Sequence, residues 1–203
     1  MVVIDATLLM LLLRQDVPAR QTDSSGRPIE HVKDRITYLV KTLEGLKERI
    51  VIPTPVLSEL LVRVSPKETQ RVLEEIGRFS VFRVEPFEMR AAIELAVMTR
   101  SALKAGDKRA GQEAPWAKIK FDRQIVAIAR VVQASMIYTD DENLASTARG
   151  LNIHTMGLAD LPLPPESAQG TLPFESEEFE AVDEVEKQKA SQQEPETSDT
   201  PPA

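Results

Sequence analysis

Five short runs rich in β-branched and aromatic residues, MVVID, RIVIP, FSVFRV, SMIYT and NIHTM, alternate with helical stretches along the chain up to Met156. This alternation constrains the fold more than any other feature. Strand–helix–strand runs of this kind specify a parallel sheet with helices packed on both sides. The helical signals are distinct. After Pro28, residues Val32, Ile36, Leu39, Val40, Leu43 and Leu46 recur at 3.6-residue spacing, predicting an amphipathic helix to about Arg49. Thr54 followed by Pro55 reads as an N-cap and first-turn proline, opening a helix through Leu61. Ser65 to Glu68 forms a capping box for a helix up to Gly77. Helices are also expected over Pro86 to Ala105, Phe121 to Ala134, and Glu142 to Arg149, the last ended by Gly150. Asp16 to Arg27 and Gly106 to Lys120 read as loops.

Cysteine usage narrows the chemistry. The chain has 203 residues, 42% of them hydrophobic and none of them cysteine, and only His31 and His154 could offer imidazole. Thiolate zinc sites, thiol nucleophiles and disulfide scaffolds are excluded. Any metal must be held mainly by carboxylate oxygen, which suits Mg²⁺ or Mn²⁺. The longest apolar run, Thr7 to Leu13, is far short of the roughly 20 residues of a spanning helix. No basic residue precedes it and Asp5 interrupts the apolar start, so neither a membrane span nor a signal peptide is expected and the protein reads as cytoplasmic.

The net charge of −7 is unevenly distributed. Residues 164–203 hold eleven acids against Lys187 and Lys189, and six of the fourteen prolines, which predicts a disordered acidic tail after a folded domain of residues 1–163. The domain itself has a small positive excess. In the Gly106 to Lys120 segment, Lys108, Arg109, Lys118 and Lys120 surround the single tryptophan, Trp116. Such a loop could meet nucleic acid through phosphate contacts and stacking. An exposed lid whose tryptophan packs on the body explains it equally well.

Acids stand where acids are costly. Asp5 ends an otherwise apolar first strand, at the sheet edge where ligands bind in open parallel sheets. Glu59 lies within VLSELL, where it could also be a surface partner for Arg63 one turn on. Asp122 precedes Ile125, Val126 and Ala129 by helical intervals, placing it on the inward stripe of its own helix, although a helix N-terminus also tolerates aspartate. Asp140 and Asp141 leave the fourth strand at the same edge as Asp5. Each is explained singly as a cap or turn residue. Together they form a cluster whose mutual repulsion and burial call for a cation, and carboxylates around Mg²⁺ or Mn²⁺ suit in-line displacement at phosphorus.

VVIDAT with Asp5, PTPVLSELL with Glu59, KFDRQIVAIA with Asp122 and IYTDDENLA with Asp141 occur in the order and spacing of the PIN domain nucleases, and the sequence resembles the prokaryotic, toxin-type members over about residues 1–160. The resemblance implies an α/β/α sandwich with a parallel sheet of order 3-2-1-4-5, endoribonuclease activity on single-stranded RNA, products with a 5′-phosphate and a 3′-hydroxyl, and frequent homodimers. Asp5, Asp122 and Asp141 then hold the principal metal. Glu59 binds metal or a coordinated water and helps deprotonate the nucleophile, and Thr139 orients the carboxylates. The family's Thr-x-Asp motif maps onto Thr139 and Asp141, with Asp140 intervening. Asn143 stands where many members carry a further acid.

Two other classes compete. A phosphotransferase of haloacid-dehalogenase type or a receiver domain also places an aspartate at a strand end near Mg²⁺, but the first requires an acid at the position of Thr7, and the second a phospho-acceptor aspartate where FSVFRV is followed by Glu85. A catalytically silent PIN fold that binds RNA or a protein is the third. For assembly, the apolar Leu8 to Leu13 segment and the helix after Pro28 suggest surface for a two-fold homodimer; a protein inhibitor would be a further partner. The acidic tail is expected to compete with RNA phosphate for basic residues of the domain.

Overall fold

The computed structural model describes residues 1–13, 22–23 and 25–165. The expectations for the acidic tail, and for much of the Asp16 to Arg27 loop, lie outside the described residues. The elements run in the order β1 (Val2–Ile4), α1 (Ala6–Leu13), α2 (Val32–Gly45), β2 (Ile50–Pro53), α3 (Thr54–Val62), α4 (Pro66–Arg78), β3 (Phe82–Glu85), α5 (Met89–Lys104), α6 (Trp116–Val131), β4 (Met136–Tyr138), α7 (Glu142–Arg149) and β5 (His154–Met156), followed by a 3-10 turn, Leu158–Asp160. The five strands form one parallel sheet of order β3-β2-β1-β4-β5. This is the expected α/β topology and strand order.

The order positions the site. Strand β1 lies centrally, paired through Val3 with Val51 of β2 on one side and Ile137 of β4 on the other. From β1 the chain first builds outward to β2 and β3, then returns to β4 on the opposite side. Between the carboxyl ends of β1 and β4 the connections therefore depart in opposite directions, opening the crevice where open α/β sheets bind ligands. Val3, Ile4, Val51, Ile52 and Ile137 are fully buried beneath it.

Four local readings are corrected. The apolar run after Asp5 is a helix, α1, whose Leu8, Leu9, Leu11 and Leu13 are buried, and Ile36, Leu39, Val40 and Leu43 of α2 also face the core. Most of the surface on which a homodimer was expected is therefore covered within the chain, although Leu46 stays exposed; other large exposed apolar side chains include Val62 and, on α5, Met89, Ile93 and Val97. Helix α2 begins at Val32 rather than just after Pro28, because His31 adopts a left-handed backbone (φ 56°) immediately before it. Thr54 does not cap α3: its Oγ1 accepts the Phe87 N–H at 3.0 Å, fastening the start of α3 to the segment after β3. Helix α6 begins at Trp116, five residues before the expected Phe121, so Lys118 and Lys120 are helical rather than loop residues. Pro115 ends the loop in an extended conformation, and the Ile119 N–H donates to its carbonyl at 3.1 Å. The capping box is present, with Glu68 accepting the Ser65 N–H at 3.1 Å.

Candidate active site

Asp5 follows β1 directly and serves as the first ligand for the backbone of α1, its Oδ1 accepting the Leu8 N–H at 2.8 Å. Its Oδ2 accepts a hydrogen bond from Thr139 Oγ1 at 2.6 Å. Asp5 is 5% exposed. Burial pushes its pKa up to about 6, against the pull of the Leu8 and Thr139 hydrogen bonds, and the charges of Asp140 and Asp141 add to the rise.

Asp122 projects from the second turn of α6 and is 3% exposed. Because the helix starts at Trp116, Asp122 lies beyond the first turn, so favourable interaction with the helix N-terminus does not explain an acid on the buried face. Burial raises its pKa to about 6; Lys118 opposes the rise, while Asp141 and Glu59 reinforce it.

Asp141 caps α7, its Oδ1 accepting the N–H groups of Asn143 at 2.9 Å and Leu144 at 3.3 Å. Burial would raise its pKa, but the hydrogen bond and charge of Lys118, with the two backbone donors, hold it below the ordinary aspartate value. The Lys118 ammonium lies 3.2 Å from both carboxylate oxygens of Asp122 and hydrogen-bonds to Asp141 Oδ2. Desolvation works against its charge, yet these two carboxylates keep its pKa above the usual lysine value.

These groups line one cleft of about 680 Å³ at the switch point, with Asp5, Glu59, Arg63, Lys118, Asp122 and Asp141 on its walls. Glu59 shows both features considered for it: it faces the cleft, and it pairs with Arg63 at 2.5 Å across one helical turn. Thr139 is buried behind the wall, where its hydroxyl donates to Asp5 and accepts the Asp141 N–H at 3.0 Å. Asp140 lines a different cleft, its Oδ1 accepting the Leu158 N–H at 2.7 Å. The carbonyl of Asn143 accepts from Gln112 Nε2 at 2.9 Å, and the residue is not among those lining the acidic cleft.

The basic segment divides. Lys118 belongs to the acidic cleft. Lys108 Nζ lies 5.3 Å from the Trp116 ring centroid and the Arg123 guanidinium 5.5 Å, so the indole is already engaged within the domain. Arg109 and Lys120 are exposed. Arg123, which sequence reasoning passed over, is 4% exposed and donates from Nη2 to the Lys108 carbonyl at 2.8 Å, tying the segment to α6. Arg63 and Lys118 as cleft cations were also unassigned, although the spacing of four from Glu59 and from Asp122 is the available signal.

The donor set fits a hard divalent cation in kind: buried carboxylate oxygens, two of them on groups that burial drives toward protonation. A cation is in fact already at the seat, namely the Lys118 ammonium between Asp122 and Asp141. Among the described residues no three acidic or imidazole groups converge in a metal-holding arrangement.

No family profile and no curated relative matches the sequence. Solved structures do. A chain of FitAB bound to an IR36 DNA fragment superposes with a TM-score of 0.52 at 16% identity, covering 80% of this chain and 98% of that one. A chain of VapBC2 from Rickettsia felis, bound to a DNA fragment from its promoter, gives a TM-score of 0.51 at 14% identity, covering 77% and 97%. At these identities the likeness concerns the fold.

Proposed function

We propose that this chain is a nuclease of PIN type that cleaves single-stranded RNA with Mg²⁺ or Mn²⁺. One observation carries the reading. Asp5 from the end of β1, Asp122 from α6 and Asp141 from the start of α7 face a single cleft at the topological switch point, two of them almost wholly buried. Burying carboxylates is costly, and such groups gathered in one cleft mark a functional-site candidate beyond the helix-capping and ion-pair contacts they also make. The DNA-bound state of the two similar complexes is consistent with a nucleic-acid partner.

In this reading Asp5, Asp122 and Asp141 hold the cation, and Thr139 holds Asp5 and Asp141 in register. When bound, the metal supplies Lewis-acid stabilisation of the charge developing at phosphorus and makes water a better nucleophile. Glu59, on the cleft wall, takes the proton of the attacking water, and Arg63 beside it holds its carboxylate in place. Lys108, Arg109 and Lys120 contact flanking phosphates, while Trp116 braces the Lys108 segment against α6. The expected products carry a 5′-phosphate and a 3′-hydroxyl.

The test is cleavage of end-labelled single-stranded RNA by the purified chain with Mg²⁺ or Mn²⁺, compared with Asp122→Asn. Cleavage by the parent and its loss in the variant are expected. Absence of cleavage with either metal, together with retained RNA binding, would favour the silent binding module, a reading that the internal pairing of Glu59 with Arg63 and of Lys118 with two aspartates makes worth separating.

A further inference from the structure

We infer that Lys118 is a tethered counter-ion seated between Asp122 and Asp141, and that a divalent cation enters the cleft by displacing it. The inference rests on the metal-dependent reading above and adds to it a residue outside the four acids. Lys118 sits one helical turn before Asp122, and its ammonium spans both carboxylate oxygens of Asp122 and one of Asp141. It thereby links α6 to α7 across the position at which two of the acids would share an ion.

The same seat cannot hold both charges. An ammonium and a divalent ion a few ångström apart repel strongly in a partly desolvated cleft. Conversely, without either cation, Asp122 and Asp141 would face each other uncompensated. The side chain is built for exchange: it is 40% exposed, and its four-carbon stem is flexible, so the charge can leave for solvent without moving the helix. Asp5 does not share this neutralisation, since its oxygens are satisfied by the Leu8 N–H and the Thr139 hydroxyl. The structure is therefore that of a cleft compensated from within, in which metal loading is a competition rather than a filling of empty space.

Competition has a signature that a lysine supporting the bound site lacks. Removing the internal competitor strengthens metal binding, whereas removing a residue that merely supports the site weakens it. Isothermal titration of the full chain with MnCl₂ at pH 7.5 compares the parent with Lys118→Met, Lys118→Gln and Lys118→Arg, with melting in EDTA confirming that each is folded. Met and Gln should bind Mn²⁺ about tenfold more tightly than the parent, within the range usual for coupled sites. The Arg variant, which keeps the charge, should bind no more tightly than the parent. In EDTA the Met and Gln variants should melt below the parent, and Mn²⁺ should raise their melting temperatures by more. Met and Gln variants that bind Mn²⁺ equally or more weakly than a metal-binding parent would overturn the displacement alone. Failure of the parent and all three variants to take up Mn²⁺ at millimolar concentration would overturn the metal-dependent reading and this inference with it.

Discussion

The Thr139 hydroxyl donates to Asp5 Oδ2 at 2.6 Å, joining residues separated by 134 positions in the chain. The pairing of Ile4 with Tyr138 at the ends of β1 and β4 brings them together. The Asp5 N–H adds a bond to the Tyr138 carbonyl at 3.1 Å, and Thr139 Oγ1 also accepts the Asp141 N–H at 3.0 Å. One hydroxyl thus sets the positions of two acids that arrive from different strands.

Thr139→Val should therefore damage both stability and cleavage. It leaves a buried carboxylate oxygen and a backbone N–H without their partner, at a cost of about 1–3 kcal/mol. Urea denaturation and RNA cleavage rates should both show the loss, and Thr139→Ser should restore most of each. A Val variant as stable and as active as the parent would remove the hydroxyl from the account.

Asp5→Asn should abolish cleavage while stabilising the metal-free fold. The Asp5 carboxyl has its pKa raised to about 6 from 3.8. The folded state thus holds this proton more tightly, and stability is fully present below the unfolded value and falls as pH rises to about 6. Asparagine removes that fall, leaving the variant more stable at pH 7.5 in EDTA by on the order of 2 kcal/mol. The difference should vanish near pH 4. Denaturation curves at the two pH values check both the sign and the window.

Metal-induced stabilisation should depend on pH for the same reason. Asp5 and Asp122 both have pKa values pushed up to about 6, so protons compete with the cation below that value. Saturating Mn²⁺ should raise the melting temperature at pH 7.5 and have little effect at pH 5. An equal rise at both would place the bound ion away from these two carboxylates.

Gly157→Ala separates Asp140 from the catalytic set. A Cβ at Gly157 would lie 2.8 Å from Asp140 Oδ1, the atom that accepts the Leu158 N–H. Displacing it should cost about 1–2 kcal/mol in stability. Cleavage by the folded variant should stay within about twofold of the parent, corresponding to less than ~0.5 kcal/mol in barrier. A large loss of rate at full stability would return Asp140 to the site.

Much of this was legible in sequence. Strands β1 and β2 carry apolar runs that a doubly covered sheet buries, whereas the edge strands β3 and β5 stay partly exposed. Asp5 and Asp122 stand where their polarity conflicts with the surrounding pattern, and Thr139 and Asp141 were found through the Thr-x-Asp motif after the fourth strand. What was hidden had no such conflict. Helix α1 is apolar on nearly every side, so its periodicity carries no contrast between a strand and a buried helix. Helix α6 opens with Trp116, Ala117 and Lys118, which read as loop until Ile119 is found buried. Lys118 looked like a member of a basic surface group, because its partner Asp141 comes from the far side of β4 and only tertiary structure brings them together.

The union of β1 with β4 also bears on how such a chain is made. Synthesis runs from the amino side of β1, so Asp5 and its strand leave the ribosome before their hydroxyl partner and the last carboxylate, which follow only after six helices and three further strands. Until then the cleft lacks a wall. In the nuclease reading proposed above, competence is therefore withheld by topology until the fourth strand has been delivered.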